Sequence, residues 1–215
     1  MPPCASHFDV IVVGGGHAGA EAAWAAANLG AAVALVTLDP SKIGVMSCNP
    51  AIGGLAKGQI VREIDALHGL MGLAADATGI NFKMLNVSRG PAVRGPRAQC
   101  DKHAYADEVQ RLLRTRPNIT ILPGAVDELL VEYGRIAGAL IAPPGVAPYT
   151  IRAPALVLTT GTFMRALMHT GETKTPGGRA GEAAAVGISG ALSSLGFELG
   201  RLKTGTPPRL ARESI

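Results

Sequence analysis

Six consecutive residues, Gly14, Gly15, Gly16, His17, Ala18 and Gly19, constrain this chain more than any other feature of it. They satisfy the spacing G-x-G-x-x-G and follow directly on FDVIVV, Phe8 to Val13, a short β-branched run that reads as a buried parallel strand. Ala18 to Leu29 is alanine-rich, with Trp24 and Leu29 as its larger apolar members, and Gly30 stands where a helix stops. AAVALVT, Ala31 to Thr37, then reads as a second buried strand. Strand, glycine turn, helix, glycine and strand within about 30 residues form a βαβ unit, and the right-handed crossover rule makes its two strands parallel neighbours. In such a unit Gly14 permits the tight turn, Gly16 lets the backbone approach a diphosphate, and Gly19 lets helix and strand pack closely. The free amides of the first helical turn then face the diphosphate with the positive end of the helix dipole. His17 reads as capping this turn rather than as a general base.

Composition narrows the alternatives. With 47% hydrophobic and 17% charged residues over 215 positions, the chain is not disordered. Its 28 glycines have no three-residue period, which excludes collagen and points to turns and close backbone approaches. Cys4, Cys48 and Cys100 are widely spaced, and no CxxC, HxxxH or HExxH occurs, so no metal site is expected. Three such thiols fit a reducing, cytoplasmic compartment. The opening MPPCASHFDV lacks the basic and apolar regions of a signal peptide. Residues 18–38 reach membrane-spanning length, but Gly30 divides them and Glu21 lies near their start, so two buried soluble elements explain them better than a span.

Charge is unevenly distributed. Residues 1–82 carry three basic against six acidic side chains, residues 83–116 eight against three, and residues 117–215 nine against seven. The basic middle third suits either phosphate contacts or a solvated surface.

Beyond the first unit, Asp39 to Leu55 is turn-rich, and a loop of that length is uncommon unless functional or disordered. Ile60, Ile64, Leu67 and Met71 recur at helical spacing, as do Tyr105, Val109, Leu112 and Leu113, and both stripes read as core. ITIL, AVDELLVE and IAGALI, between Asn118 and Ile141, read as short antiparallel strands, and Tyr149 to Thr160 adds a strand pair. Residues 181–195 read as helix and FELGRL as an edge strand. The expected fold is α/β: a Rossmann-like FAD-binding fold with a parallel sheet plus an antiparallel hairpin region, as in glutathione reductase. Its segments are the βαβ unit (1–38), a loop-and-helix stretch (39–116), antiparallel strands (117–160) and an incomplete returning segment (161–215).

The second strand ends at Thr37, with Asp39 two residues on, so an acid at the strand tip is absent; either side chain suits ribose hydroxyls. ALVLTTG, ending at Gly161, matches the ATG-like turn that closes a returning strand beside the flavin nucleotide in two-dinucleotide flavoenzymes. A flavoprotein is therefore favoured over a simple nicotinamide dehydrogenase.

Five more blocks follow GGGHAG in order: MSCNPAIGGLAKG (Met46 to Gly58), RGPAVRGPRAQCD (Arg89 to Asp101), GTF (Gly161 to Phe163), GGRAG (Gly177 to Gly181) and GRLKTGTPPR (Gly200 to Arg209). Together they resemble the glucose-inhibited division protein A (GidA, or MnmG) family from about Phe8 onward, with SCNPAIGG and KTGTPPR the most specific blocks. The resemblance implies an FAD-dependent enzyme that adds a carboxymethylaminomethyl group to C5 of the wobble uridine of tRNA. It further implies NADH as reductant, a one-carbon unit from a folate, a partner GTPase (MnmE) and a homodimer. By position, Gly14 to Gly19 correspond to the FAD diphosphate loop and Val126 to a backbone contact on the adenine side. The family carries Ser immediately before GGRAG; Pro176 here removes both a hydroxyl and an amide.

Cys48, in SCNP, is the candidate catalytic residue. A thiolate attacks an electrophilic pyrimidine carbon or guards a flavin adduct, and the alternative is a small cysteine packed beneath the flavin. Cys100 reads as structural. Lys57, Arg89, Arg94, Arg97, Lys102 and Lys203 are the candidate tRNA-phosphate contacts, with a solvated or flavin-facing basic loop as the alternative. The chain reads as the N-terminal part of the family's length, with the NADH stretch and the helical C-terminal region outside it, so alone it is expected to bind FAD weakly and not to modify tRNA. Two rival readings are a non-catalytic FAD-binding fragment and a flavin oxidoreductase acting on a small molecule.

Overall fold

Four short apolar strands build the centre of the protein because each is buried on both faces or closes the edge of a sheet that is. The computed structural model describes residues 7–47, 49–179, 181–203 and Glu213. In it β1 (Val10–Val13), α1 (His17–Asn28) and β2 (Val33–Thr37) form the expected βαβ unit, with β1 and β2 parallel and Val10 opposite Val33. Gly30, at φ +90°, ends the helix in the left-handed region. β10 (Ala155–Leu158) lies parallel on the other side of β1, and β6 (Ile119–Pro123) lies parallel to β2, giving the order β10-β1-β2-β6.

Alternation along these strands divides the core in two. Val12, Val33 and Leu35 pack with Ala20, Ala23, Trp24 and Ala27 of α1. On that side they also meet α3 (Leu70–Thr78) and α4 (Lys102–Arg114), through Leu70, Ala74, Tyr105, Val109 and Leu113. Ile11, Val13, Ala34 and Val36 face the opposite way. There they meet the antiparallel sheet β7 (Ala125–Glu132), β8 (Arg135–Ala142) and β9 (Tyr149–Arg152), together with Ile188 of α5 (Gly187–Ser194). Each fully buried aliphatic side chain contributes about 1.5–3 kcal/mol.

Polar residues within the apolar stretch carry structural work. Glu21 of α1 accepts hydrogen bonds from the amides of Leu70 (3.0 Å) and Met71 (2.6 Å), capping α3. Trp24 donates its indole N–H to the His68 carbonyl at 2.8 Å, and the Arg116 guanidinium lies 3.9 Å above its ring.

Several expectations are corrected. ITIL belongs to β6 in the parallel sheet, not to the antiparallel region, because α4 carries the chain back across the sheet before it. The segment expected to be loop and helix holds a three-stranded antiparallel sheet, β3 (Ala51–Gly53), β5 (Gly95–Cys100) and β4 (Gly79–Leu85), in that order. The stripe Ile60, Ile64, Leu67 and Met71 is core only in part: Met71, in α3, packs against the core, whereas Ile60 of α2 (Lys57–Ala66) is 53% exposed and Leu67, just beyond that helix, 82%. FELGRL forms no strand, and a hairpin of β11 (Leu167–Thr170) and β12 (Thr173–Pro176) precedes α5 instead. No helix among the described residues is long and apolar enough to cross a membrane.

Candidate dinucleotide-binding site

The glycine turn opens onto a cleft of about 290 Å³ at the carboxyl ends of β1, β2 and β10. In a parallel α/β sheet this is where ligands bind. Its walls include Gly14, Gly15, Gly16, His17, Thr37, Asp39, Val126 and Gly161, which the sequence assigned to a cofactor. Ala18 and Gly19 sit within α1 and are not on that wall.

Each glycine has its own reason. Gly14 has φ +111°, and a Cβ there would press on the Thr159 backbone. A Cβ on Gly15 would fall 2.8 Å from both Ile43 Cγ1 and Thr37 Oγ1. A Cβ on Gly19 would run into the Gly14 carbonyl and lie 2.7 Å from Thr159 Oγ1. Gly16 differs: its backbone is extended and a Cβ would meet nothing within 4 Å. Three of the glycines therefore serve packing, and Gly16 leaves room for something outside the protein.

The amino end of α1 is prepared for an anion. Gly16 is its N-cap, no side chain caps it, and no acid lies in its first turn. His17 thus does not cap the turn, contrary to expectation; its ring stands edge-on to Tyr105 at 5.7 Å. Burial, and secondarily the charge of Arg179, hold His17 below the usual imidazole value, so it is neutral at neutral pH.

The turn is fixed by its neighbours. Gly44 donates to the Gly15 carbonyl at 3.0 Å, and Gln110 of α4 holds the Ser41 and Ile43 carbonyls at 3.2 and 3.1 Å. Thr159, in the TTG turn, donates through Oγ1 to the Val13 carbonyl at 2.8 Å, joining the returning strand to the glycine turn. Asp39 accepts from the Ser41 hydroxyl (2.7 Å) and amide (2.8 Å), and these bonds hold its carboxyl below the ordinary aspartate value. An ionised acceptor therefore stands at the cleft edge two residues past buried Thr37, an arrangement suited to ribose hydroxyls.

Among the cleft residues that sequence reasoning passed over are the polar side chains of Lys42, Ser47, Arg179 and Glu182. GGRAG was noted as a block, and its arginine was the available sign. Cys48 lies outside the described residues, as do Cys4 and most of KTGTPPR. Buried Cys100 lies 3.9 and 3.8 Å from the Ala75 and Ala98 carbonyls, and burial pushes its thiol upward, an inert structural position. Among the described residues no cluster of His, Cys, Asp and Glu is placed to hold a metal.

The six basic candidates are not on the cleft wall. Lys57 opens α2 and Lys102 opens α4; Arg89 and Lys203 are exposed. Arg94 is turned onto its own loop, donating to the Val87 carbonyl at 3.2 and 3.0 Å. Arg97 lies opposite Lys83 on the β4–β5 ribbon, and with Arg62 these line a second groove of about 400 Å³.

A family model described as Glucose inhibited division protein A matches residues 9–215. The chain belongs to that family. A relative from Granulibacter bethesdensis, named tRNA uridine 5-carboxymethylaminomethyl modification enzyme MnmG, is 54% identical over 215 residues, covering 99% of this chain and 34% of its own length. A relative of the same name from Rhodopirellula baltica is 52% identical, with 97% and 33% covered. The chain thus spans about one third of the length of the curated relatives it matches. The structure of Aquifex aeolicus GidA superposes with a TM-score of 0.88 at 47% identity, over 94% of this chain and 33% of that one. The GidA-related protein from Thermus thermophilus, at 21% identity and a TM-score of 0.62 over 89% of this chain and 69% of that one, shares the fold. As a member of the GidA family, the chain has the mixed α/β fold its sequence implied.

Proposed function

We propose that this chain is the FAD-binding part of a GidA-family enzyme that adds a carboxymethylaminomethyl group to C5 of the wobble uridine of tRNA. The observation that carries the reading is the match of the family along residues 9–215, together with a cleft at Gly16 that leaves open the space a diphosphate needs. In this reading the amides at the start of α1 hold the diphosphate, Thr37 and Asp39 take the ribose hydroxyls, and Val126 borders the adenine. Gly161 and the TTG turn guide the cofactor toward the flavin end.

Bound FAD would supply redox chemistry, with NADH as its reductant. This chain's own residues bind the nucleotide half, orient it along the sheet ends and keep His17 neutral beside it. Cys48 is the candidate nucleophile toward the uracil ring. Lys57, Arg89, Arg97, Lys102 and Lys203 are the candidate phosphate contacts for tRNA, and Arg94 braces the loop between them. The GTPase MnmE as partner and a homodimeric assembly complete the proposal.

The test replaces the matching third of the Granulibacter enzyme with this chain and reads tRNA nucleosides by mass spectrometry. A chimera that forms the modified uridine, and loses it with Gly16→Val, supports the proposal. A chimera that holds FAD but yields no modified uridine, while the parent enzyme does, would overturn it.

A further inference from the structure

Gly177, Gly178, Arg179 and Glu182 lie against the segment that follows Gly161. Gly177 has φ +149°, and a Cβ on Gly178 would fall 2.5–2.9 Å from Phe163. Thr162 donates to the Gly178 carbonyl at 3.3 Å, and the Glu182 amide donates to the Arg179 carbonyl at 2.9 Å. Further on, the Ala185 amide donates to the Phe163 carbonyl at 2.9 Å and the Arg165 amide to the Ala185 carbonyl at 2.8 Å. These bonds hold Gly178 and Glu182 beside the cleft.

Arg179 and Glu182 form an ion pair on the cleft wall. Arg179 lies 3.0 Å from Glu182, its guanidinium stands 5.5 Å from the centre of the Phe163 ring, and both charged side chains are about a quarter exposed, 24% and 25%. A pair at that exposure adds little to stability. A lone carboxylate on the wall of an anion-binding cleft would repel the anion, so Glu182 is tolerable there only with its cation.

Among the described residues two cations line this cleft, Lys42 and Arg179. Lys42 adds to the forces that keep Asp39 ionised. Arg179 is the cation felt at His17, the first residue of α1, where burial already keeps the imidazole neutral. Arg179 stands against Phe163, two residues past the TTG turn that Thr159 fastens to the end of β1, so among the described residues it is the cation at the glycine-turn end, and its planar fork suits two phosphate oxygens at once.

We propose that Arg179 grips the diphosphate of the bound dinucleotide, braced by Phe163 and aimed by Glu182, a positioning residue that shares the guanidinium with the ligand. This rests on the dinucleotide reading of the cleft. It adds a side-chain cation to the backbone amides of α1 and gives the GGRAG block a physical role.

The test is calorimetric titration of the full chain with FAD, ADP and adenosine. R179Q is expected to weaken FAD and ADP by the same factor, on the order of 10- to 100-fold, and to leave adenosine unchanged. E182Q keeps or tightens ADP binding, and R179Q/E182Q loses less than R179Q because no unpaired acid is left. R179K falls between wild type and R179Q. ADP binding unchanged in R179Q, or adenosine weakened as much as ADP, overturns the proposal. Should R179Q fail to unfold cooperatively, R179K and E182Q decide: the proposal requires the first to weaken ADP and the second not to. ADP held equally by wild type and R179Q but lost in Gly16→Val would remove Arg179 and keep the cleft. A wild-type chain that binds neither FAD nor ADP would remove the cleft reading itself.

Discussion

Gly16 and Gly19 belong to one fingerprint, yet their surroundings predict opposite phenotypes. At Gly16 the backbone is extended and a Cβ would meet nothing within 4 Å, so alanine fits the free protein. Its effect on stability stays within about 0.5 kcal/mol, or favours the fold slightly through a less flexible unfolded chain. At Gly19 a Cβ would enter the Gly14 carbonyl and lie 2.7 Å from Thr159 Oγ1, and the Gly14 backbone cannot turn aside as a flexible side chain would. Overpacking of that kind costs about 1–3 kcal/mol. For a domain of this size each kcal/mol moves the melting midpoint by about 2–4 °C, so Gly19→Ala lowers Tm by about 2–12 °C. Gly16→Ala moves it by about 2 °C or less. Gly16→Val likewise folds, but its branched side chain fills the diphosphate space and abolishes FAD binding. Circular dichroism melts and flavin fluorescence titrations on the same samples read both properties. If Gly16→Ala melts as low as Gly19→Ala, or Gly16→Val retains stoichiometric FAD, the division between a packing glycine and a ligand glycine is wrong.

Three further outcomes are expected. Glu21→Ala strips the amides of Leu70 and Met71 of their acceptor and lowers stability by about 1–3 kcal/mol, read as a shift in the urea midpoint with unchanged slope. Asp101 caps α4 by accepting from the His103 and Ala104 amides at 2.9 Å, and these bonds hold its carboxyl below the ordinary aspartate value. Its native form therefore binds fewer protons than its unfolded form: its stabilisation is complete above about pH 4 and fades as pH falls through the lower folded value. Urea titrations from pH 7 to pH 3 should show less acid destabilisation in Asp101→Ala than in wild type; equal slopes would contradict the cap. In the chimera, Arg97→Gln should flatten the dependence of log K for tRNA on log salt by about 0.7–0.9, whereas an unchanged slope assigns Arg97 to structure.

The βαβ unit was legible because its information is local: β-branched runs, glycines at fixed spacing and a glycine stop lie within one stretch of chain. The same holds for the cleft's glycine, Thr37, Asp39 and TTG positions, which the parallel register of β1, β2 and β10 brings to one end. What escaped depends on partners distant in sequence. ITIL has the same pattern beside a parallel or an antiparallel neighbour, and only the return path through α4 settles it. β4 was hidden because Asn81, Phe82, Lys83 and Met84 are all exposed on an edge strand, so no alternation of burial marks it. The α2 stripe has helical spacing, but spacing does not say what covers a face, and among the described residues Ile60 and Leu67 remain largely exposed. Glu21 looked like an interruption of an apolar run; its role appears only when the amino end of α3 arrives opposite it. Arg179 was passed over as a site residue for the same reason, since it lies more than 150 positions downstream of the first helix yet lines the same cleft.

A crystal structure of this chain with FAD tests the central claim most directly. The account predicts the diphosphate within about 3 Å of the amides at the start of α1, the ribose beside Thr37 and Asp39, and the adenine against Val126. Cofactor seated instead in the groove over β4 and β5, or density absent from the glycine turn at saturating FAD, would contradict it.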